Sequence, residues 1–139
     1  MDSEFSKQSK LPSDAEWDRD ETILVVEDDE DVRETIAGIL SMEGWHVLTA
    51  TDGEDALRVA EAHAGPIAAV VSDVRMPRMS GVSLFHELRG WYPGIRFLLV
   101  SGYPASEPVH DVSSSAKARF LPKPFSAEQL VSALESVLD

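Results

Sequence analysis

The chain has 139 residues, no cysteine and a formal net charge of −13 at pH 7; it is one domain in size, can bury about two thirds of its unfolded surface in one core, and has neither disulfides nor thiol chemistry. The acidic balance, with Lys and Arg scattered rather than clustered, argues against nucleic-acid binding. No apolar run approaches the roughly 20 residues that span a bilayer, and the polar N-terminus lacks the basic-then-apolar order of a secretion signal, so a soluble, cytoplasmic protein without a membrane segment is expected.

Residues 1–21 (MDSEFSKQSKLPSDAEWDRDE) are polar and show no period of 2 or 3.6. They read as a flexible tail or linker, with a cloning remnant as one reading of part of it. From Thr22 the pattern changes to short apolar runs alternating with amphipathic stretches. Ile23 to Val26 is apolar throughout, as a strand buried on both faces should be. Asp31 to Ser41 places Val32, Ile36, Ile39 and Leu40 at helical spacing and closes at Gly44. His46 to Ala50 is a second strand. Thr51 and Glu54 form a capping-box pattern for a helix with Ala56, Leu57 and Ala60 inward, ending before Gly65 and Pro66.

A third strand over Ile67 to Ser72 leads directly into Asp73. Gly81 to Leu88 is helical, with Val82, Leu84 and Phe85 inward, and Gly90 and Pro93 stop it. Strand four is Arg96 to Val100, ending at Ser101 and Gly102. Pro104 to Lys117 is a weak helix, since its two prolines, three consecutive serines and β-branched valines lower propensity. Strand five is Ala118 to Leu121, and Ser126 with Gln129 caps a last helix that buries Leu130, Val131, Leu134, Val137 and Leu138.

Five β-α units predict an α/β fold, a doubly wound five-stranded parallel sheet with helices on both faces, formed by residues 22–139 with no second domain. In such sheets functional groups gather at the carboxyl ends of the strands. Glu27 and Asp28 follow the first strand and Asp73 the third. Three converging carboxylates need relief by protonation or a cation, and a hard divalent ion such as Mg²⁺ suits oxygen donors. Asp29, Glu30 and Asp31 read equally well as acids favoured by the dipole of the following helix. Lys123, between Pro122 and Pro124, is either a solvated charge or the partner of Asp73 or a bound phosphoryl group. Ser101 is either turn chemistry or a hydroxyl donor to a phosphoryl oxygen.

Together these motifs resemble response-regulator receiver domains of two-component signalling: ILVVEDDEDVRE for the acidic pair, VVSDVRMPRMSG for the phosphoacceptor, LLVSGY for the switch hydroxyl and FLPKPF for the lysine. The resemblance covers Thr22 to Leu138 and implies a flavodoxin-like receiver fold. It implies that Asp73 takes a phosphoryl group from the phosphohistidine of a sensor histidine kinase or histidine phosphotransfer domain. Asp28 and Asp73 would hold Mg²⁺, with Glu27 acting directly or through water and the backbone carbonyl of Arg75 as a further ligand. Lys123 would neutralise phosphoryl charge. The family often has Asp where Glu27 stands, and Glu keeps the charge.

The resemblance also makes Ser101 and Phe120 switch residues, although Phe120 reads equally as a core aromatic. Phosphorylation would bias a face built from the fourth helical stretch, the fifth strand and the last helix, the usual output surface and one through which a homodimer is compatible. Arg75 and Tyr103, two residues beyond Asp73 and Ser101, would modulate phosphoryl lifetime. In this reading the domain is not an enzyme but a phosphoacceptor module with self-phosphorylation and slow self-dephosphorylation. The polar linker, LLVSGY and the end at the last helix look like the C-terminal receiver of a hybrid histidine kinase; a stand-alone regulator is the alternative.

Two other classes are weighed against it. A phosphatase using Asp73 as covalent nucleophile usually has a second acid two residues later, where Arg75 stands. A degenerate receiver acting only as a binding module is opposed by the retention of Glu27, Asp28, Asp73, Ser101 and Lys123. His46, His63, His86 and His110 show no ligand spacing, and no Gly-rich loop follows the first strand.

Overall fold

Runs that are apolar at successive positions cannot leave either face of a strand in water, and here they pair side by side beneath helices on both faces. The computed structural model describes residues 19–102 and 117–139. Among them the elements are β1 (Thr22–Val26), α1 (Glu30–Met42), β2 (His46–Ala50), α2 (Gly53–Ala62), β3 (Ala69–Asp73), α3 (Gly81–Trp91), β4 (Arg96–Ser101), β5 (Ala118–Pro122) and α4 (Ala127–Leu138). All four strand pairings are parallel, in the order β2-β1-β3-β4-β5. The expected doubly wound sheet is therefore present. The weak helical stretch from Pro104, together with Tyr103, His110 and the tail up to residue 18, lies outside the described residues.

Alternate residues of each strand feed two cores. Leu24, Val26, Val70, Phe97 and Leu99 join Ala56 and Ala60 of α2 and Leu84, Phe85 and Leu88 of α3. Ile23, Val25, Val71, Leu98 and Val100 join Ile36 and Leu40 of α1 and Leu130, Leu134 and Val137 of α4. Each fully buried aliphatic or aromatic side chain contributes about 1.5–3 kcal/mol. Phe85 and Phe97 meet edge to face at 5.1 Å, which fixes α3 against β4.

Several boundaries differ from the sequence reading, three of them with a clear physical reason. Helix α2 is capped by Asp52, whose side chain accepts from the Asp55 N–H, rather than by Thr51 with Glu54. Asp55 instead accepts from the Thr51 N–H at 2.9 Å, so two acids share the work assigned to a Thr–Glu box. Strand β3 begins at Ala69 and includes Asp73 as its last residue; Ile67 is buried without joining the ladder. Helix α3 runs through Gly90 to Trp91, because one internal glycine costs only about 1 kcal/mol while Pro93 prevents continuation. In its first turn Leu84 and Phe85 are buried and Val82 is half-buried. The capping box of α4, Ser126 with Gln129, is present as expected.

Candidate functional site

The chain runs outward from β1 to β2 and then returns to the other side of β1 to form β3, so the sheet's switch point lies between β1 and β3. Val26 is the register partner of Ser72, which brings the next residues, Glu27 and Asp73, to adjacent strand ends. Asp73 pairs with Val100 of β4, and Ser101 with Pro122 of β5. The ends of four strands thus present Glu27, Asp73, Ser101 and the segment entering Lys123 along one edge.

Glu27, Asp28 and Asp73 each offer a carboxylate oxygen, and these oxygens lie within 4.8 Å of one another. Glu27 is only 2% exposed; Asp28 is exposed and Asp73 half-buried. The Lys123 ammonium stands 3.3 Å from Asp73 Oδ2 and 3.4 Å from Glu27 Oε1. Its backbone N–H donates to the Ser101 carbonyl at 2.8 Å, which ties the lysine to the end of β4. The Lys123–Pro124 peptide is cis. The Arg75 N–H lies 3.4 Å from Asp73 Oδ1, so Asp73 presents one oxygen to the following loop and the other to the ammonium.

Glu27 is held from behind. The Asp29 N–H donates to Glu27 Oε2 at 3.1 Å, and Arg33 Nη1 donates to the Glu27 carbonyl at 2.9 Å. Asp29 caps α1 through the Val32 N–H, while Glu30 and Asp31 occupy its first turn. The acidic run therefore divides into a site half, Glu27 and Asp28, and a helix-capping half.

Burial pushes the Glu27 carboxyl up to about 7, with the Asp73 charge adding to the rise; the Asp29 N–H and the Lys123 ammonium oppose it. Burial pulls Lys123 down, but Asp73 and Glu27 outweigh it and leave the ammonium above its ordinary value. One ammonium faces more carboxylate than it can neutralise. A hard divalent cation with oxygen ligands fits such a donor set, through the three carboxylates and the backbone of the loop after Asp73.

Ser101 is 4% exposed at the end of β4. Phe120 is half-buried in β5 and packs against the core shared with α2 and α3, compatible with either of its two readings. Arg75 is exposed in the loop after Asp73. Sequence reasoning passed over Asp52 and Arg78, which pair with each other beside this loop. Their signal is weak: an Asp before Gly after a strand marks a cap, but nothing in a lone arginine marks its partner.

The response regulator receiver domain family matches residues 23–135. The chain is 37% identical over 134 residues to the sensor kinase CckA of Brucella abortus, covering 96% of this chain and 14% of that protein. It is 35% identical over 117 residues to the probable transcriptional regulatory protein TcrX of Mycobacterium tuberculosis, covering 84% of this chain and 49% of that one. The chain therefore spans a small part of the first relative and about half of the second. Among solved structures, the receiver domain from the hybrid histidine kinase CckA superposes with a TM-score of 0.71 at 36% identity, covering 85% of this chain and 99% of that one. Chemotaxis protein CheY4 of Vibrio cholerae gives 0.75 at 29%, covering 85% and 98%. No helix among the described residues is long and apolar enough to cross a membrane. With its strand order, its acidic edge and these likenesses in agreement, the chain belongs to the response-regulator receiver domain family.

Proposed function

We propose that this domain receives a phosphoryl group on Asp73 from a phosphohistidine of a sensor histidine kinase or histidine phosphotransfer domain, and passes the signal on by changing its own surface. The observation that supports it most is the position of Lys123, whose ammonium touches both Asp73 and the buried Glu27 at the switch point of the sheet. In the transfer, an Asp73 carboxylate oxygen attacks phosphorus, the bond to the histidine nitrogen breaks, and its electron pair returns to the imidazole. Lys123 offsets the charge gathering on the phosphoryl oxygens, and the Arg75 N–H orients the Asp73 carboxylate. Glu27, Asp28, Asp73 and the Arg75 carbonyl would hold Mg²⁺, which when bound neutralises further phosphoryl charge.

Ser101 and Phe120 act as the switch pair, and Arg75 with Tyr103 governs the lifetime of the acyl phosphate. The responding face comprises the segment before β5, β5 itself and α4, and a homodimer would form there. Self-phosphorylation from small donors and slow self-dephosphorylation belong to this reading, as do a cytoplasmic location and the absence of direct nucleic-acid contact, consistent with the net charge of −13. The likeness to CckA over 96% of the chain favours a hybrid kinase as the parent protein. Incubation with Mg²⁺ and acetyl phosphate tests the reading. A base-labile phosphoryl mass should appear on the wild type and not on Asp73→Ala; no gain on the wild type, or a gain persisting in the variant, defeats it.

A further inference from the structure

The loop of residues 74–80 carries the Arg75 backbone past the acidic cluster and is fastened at its far end by Gly81. The Gly81 N–H donates to the Val74 carbonyl at 2.9 Å, and a Cβ at Gly81 would stand 2.4 Å from the Asp73 carbonyl oxygen, so no larger residue lets the helix start so close to the strand end. The outer turn of the loop is fastened elsewhere. Arg78 pairs through Nη2 with Asp52 Oδ2, and its Nε lies 3.2 Å from Glu54 Oε1. Beside this pair a Cβ at Gly53 would stand 2.6 Å from Met79 Cβ, so Met79 rests directly on the first residue of α2.

Arg78 and Glu54 are exposed, but Asp52 is not an ordinary surface charge. Asp52 is 5% exposed and is already occupied as the cap of α2, with the Asp55 N–H on Oδ1 at 2.8 Å. That N–H, then the Arg78 guanidinium, hold its carboxyl below the ordinary value despite burial. Arg78 adopts φ 70, a left-handed conformation that is costly for a residue bearing a side chain. A glycine would hold the same backbone without that cost. The arginine is therefore explained by what its side chain reaches, not by the turn it occupies.

We propose that Arg78 is a positioning residue: by clipping the outer turn of the loop to Asp52 and Glu54, it fixes the Arg75 backbone beside Asp73 and so sets how tightly the acidic cluster takes Mg²⁺. This rests on the phosphoacceptor reading of the site and adds to it a control that reaches from the loop after Asp73 to the start of the neighbouring helix α2. The sign of the effect separates a clip from a charge. Removing a cation near three carboxylates strengthens Mg²⁺ binding if only electrostatics matter. Loosening the loop weakens it.

The test titrates Mg²⁺ alone into the wild type, Arg78→Gln, Arg78→Lys, Asp52→Asn and the Arg78→Gln/Asp52→Asn double variant by calorimetry at fixed ionic strength, with amide exchange of residues 74–80 and acetyl phosphate labelling alongside. Asn caps helices as well as Asp, so Asp52→Asn removes the ion pair and keeps α2. Arg78→Gln and Asp52→Asn should each weaken Mg²⁺ binding about tenfold, the usual scale for groups that orient ligands from outside. Exchange in the loop should quicken, the double variant should be no worse than the single ones, and Arg78→Lys should recover most of the loss. Unchanged or tighter Mg²⁺ binding in Arg78→Gln, or additive losses in the double variant, overturns the proposal while a wild type labelled at Asp73 leaves the parent reading standing. A wild type that neither binds Mg²⁺ nor takes label removes both.

Discussion

Lys123 Nζ stands 3.3 Å from Asp73 Oδ2 although the two residues are 50 apart in the chain. β5 places the lysine and β3 the aspartate, with β4 between them, and the Ser101 carbonyl holds the lysine's backbone in place. Truncating Lys123 to Ala leaves Glu27 and Asp73 facing each other without a cation. Labelling by acetyl phosphate should slow about 100-fold, the scale for losing one preorganised charge-stabilising group. Metal-free thermal stability should fall by a few degrees and be largely restored by Mg²⁺; a labelling rate near wild type would remove Lys123 from the transfer.

Glu27 gives the site a pH dependence with a definite sign. Its folded-state pKa is raised, mainly by burial, from 4.5 to about 7. The folded chain therefore binds this proton more tightly than the unfolded chain, and the stabilisation is complete below about pH 4.5 and lost as pH rises through about 7. In a chelator, Tm should decline by several degrees across that window from this group, and Glu27→Gln should flatten the decline. Because Mg²⁺ takes the ionised carboxylate, its stabilising increment should grow from pH 5 to pH 8 in the wild type. Thermal melts with and without Mg²⁺ at several pH values measure both; a decline equally steep in Glu27→Gln would assign it to other groups.

Ser101 offers a separable test, since its backbone carbonyl, which serves Lys123, is kept when the hydroxyl is removed. Ser101→Ala should label at Asp73 within about fivefold of wild type, the scale of one neutral hydrogen bond. The change in amide exchange of β5 on phosphorylation should be lost. Total loss of labelling would make Ser101 part of the transfer rather than of the switch.

The α4 helix tests the fold independently of the site. Leu134 is fully buried, and Leu134→Ala should cost about 2–5 kcal/mol in urea unfolding. Ser126→Ala removes half of the capping box and should cost about 1 kcal/mol.

Much of this architecture was legible because the physics behind it is local. Ile23 to Val26 is apolar at every position, which only a doubly covered strand tolerates, and Ser126 with Gln129 announces the start of α4. Asp73, Glu27, Asp28 and Lys123 could be placed because each lies one or two residues from a strand that was itself readable. What failed depended on competition or on distance. Thr51 and Asp52 are both competent caps, and the choice between them is made where the ladder ends at Ala50. Gly90 looked like a stop, but one glycine costs only about 1 kcal/mol, and the helix continues to Trp91, with the Tyr92 N–H still donating to the Leu88 carbonyl at 2.8 Å, before Pro93. The pairing of Arg78 with Asp52 spans 26 residues and depends on a backbone φ that no residue type announces for arginine.

The central claim is that Asp73, and neither Glu27 nor Asp28, is the group that becomes phosphorylated. Borohydride reduction of protein labelled with acetyl phosphate and Mg²⁺, followed by peptide mapping, converts an aspartyl phosphate to homoserine at its position in the chain. The prediction is conversion confined to position 73; conversion at position 28, at another acidic residue, or at none would contradict it.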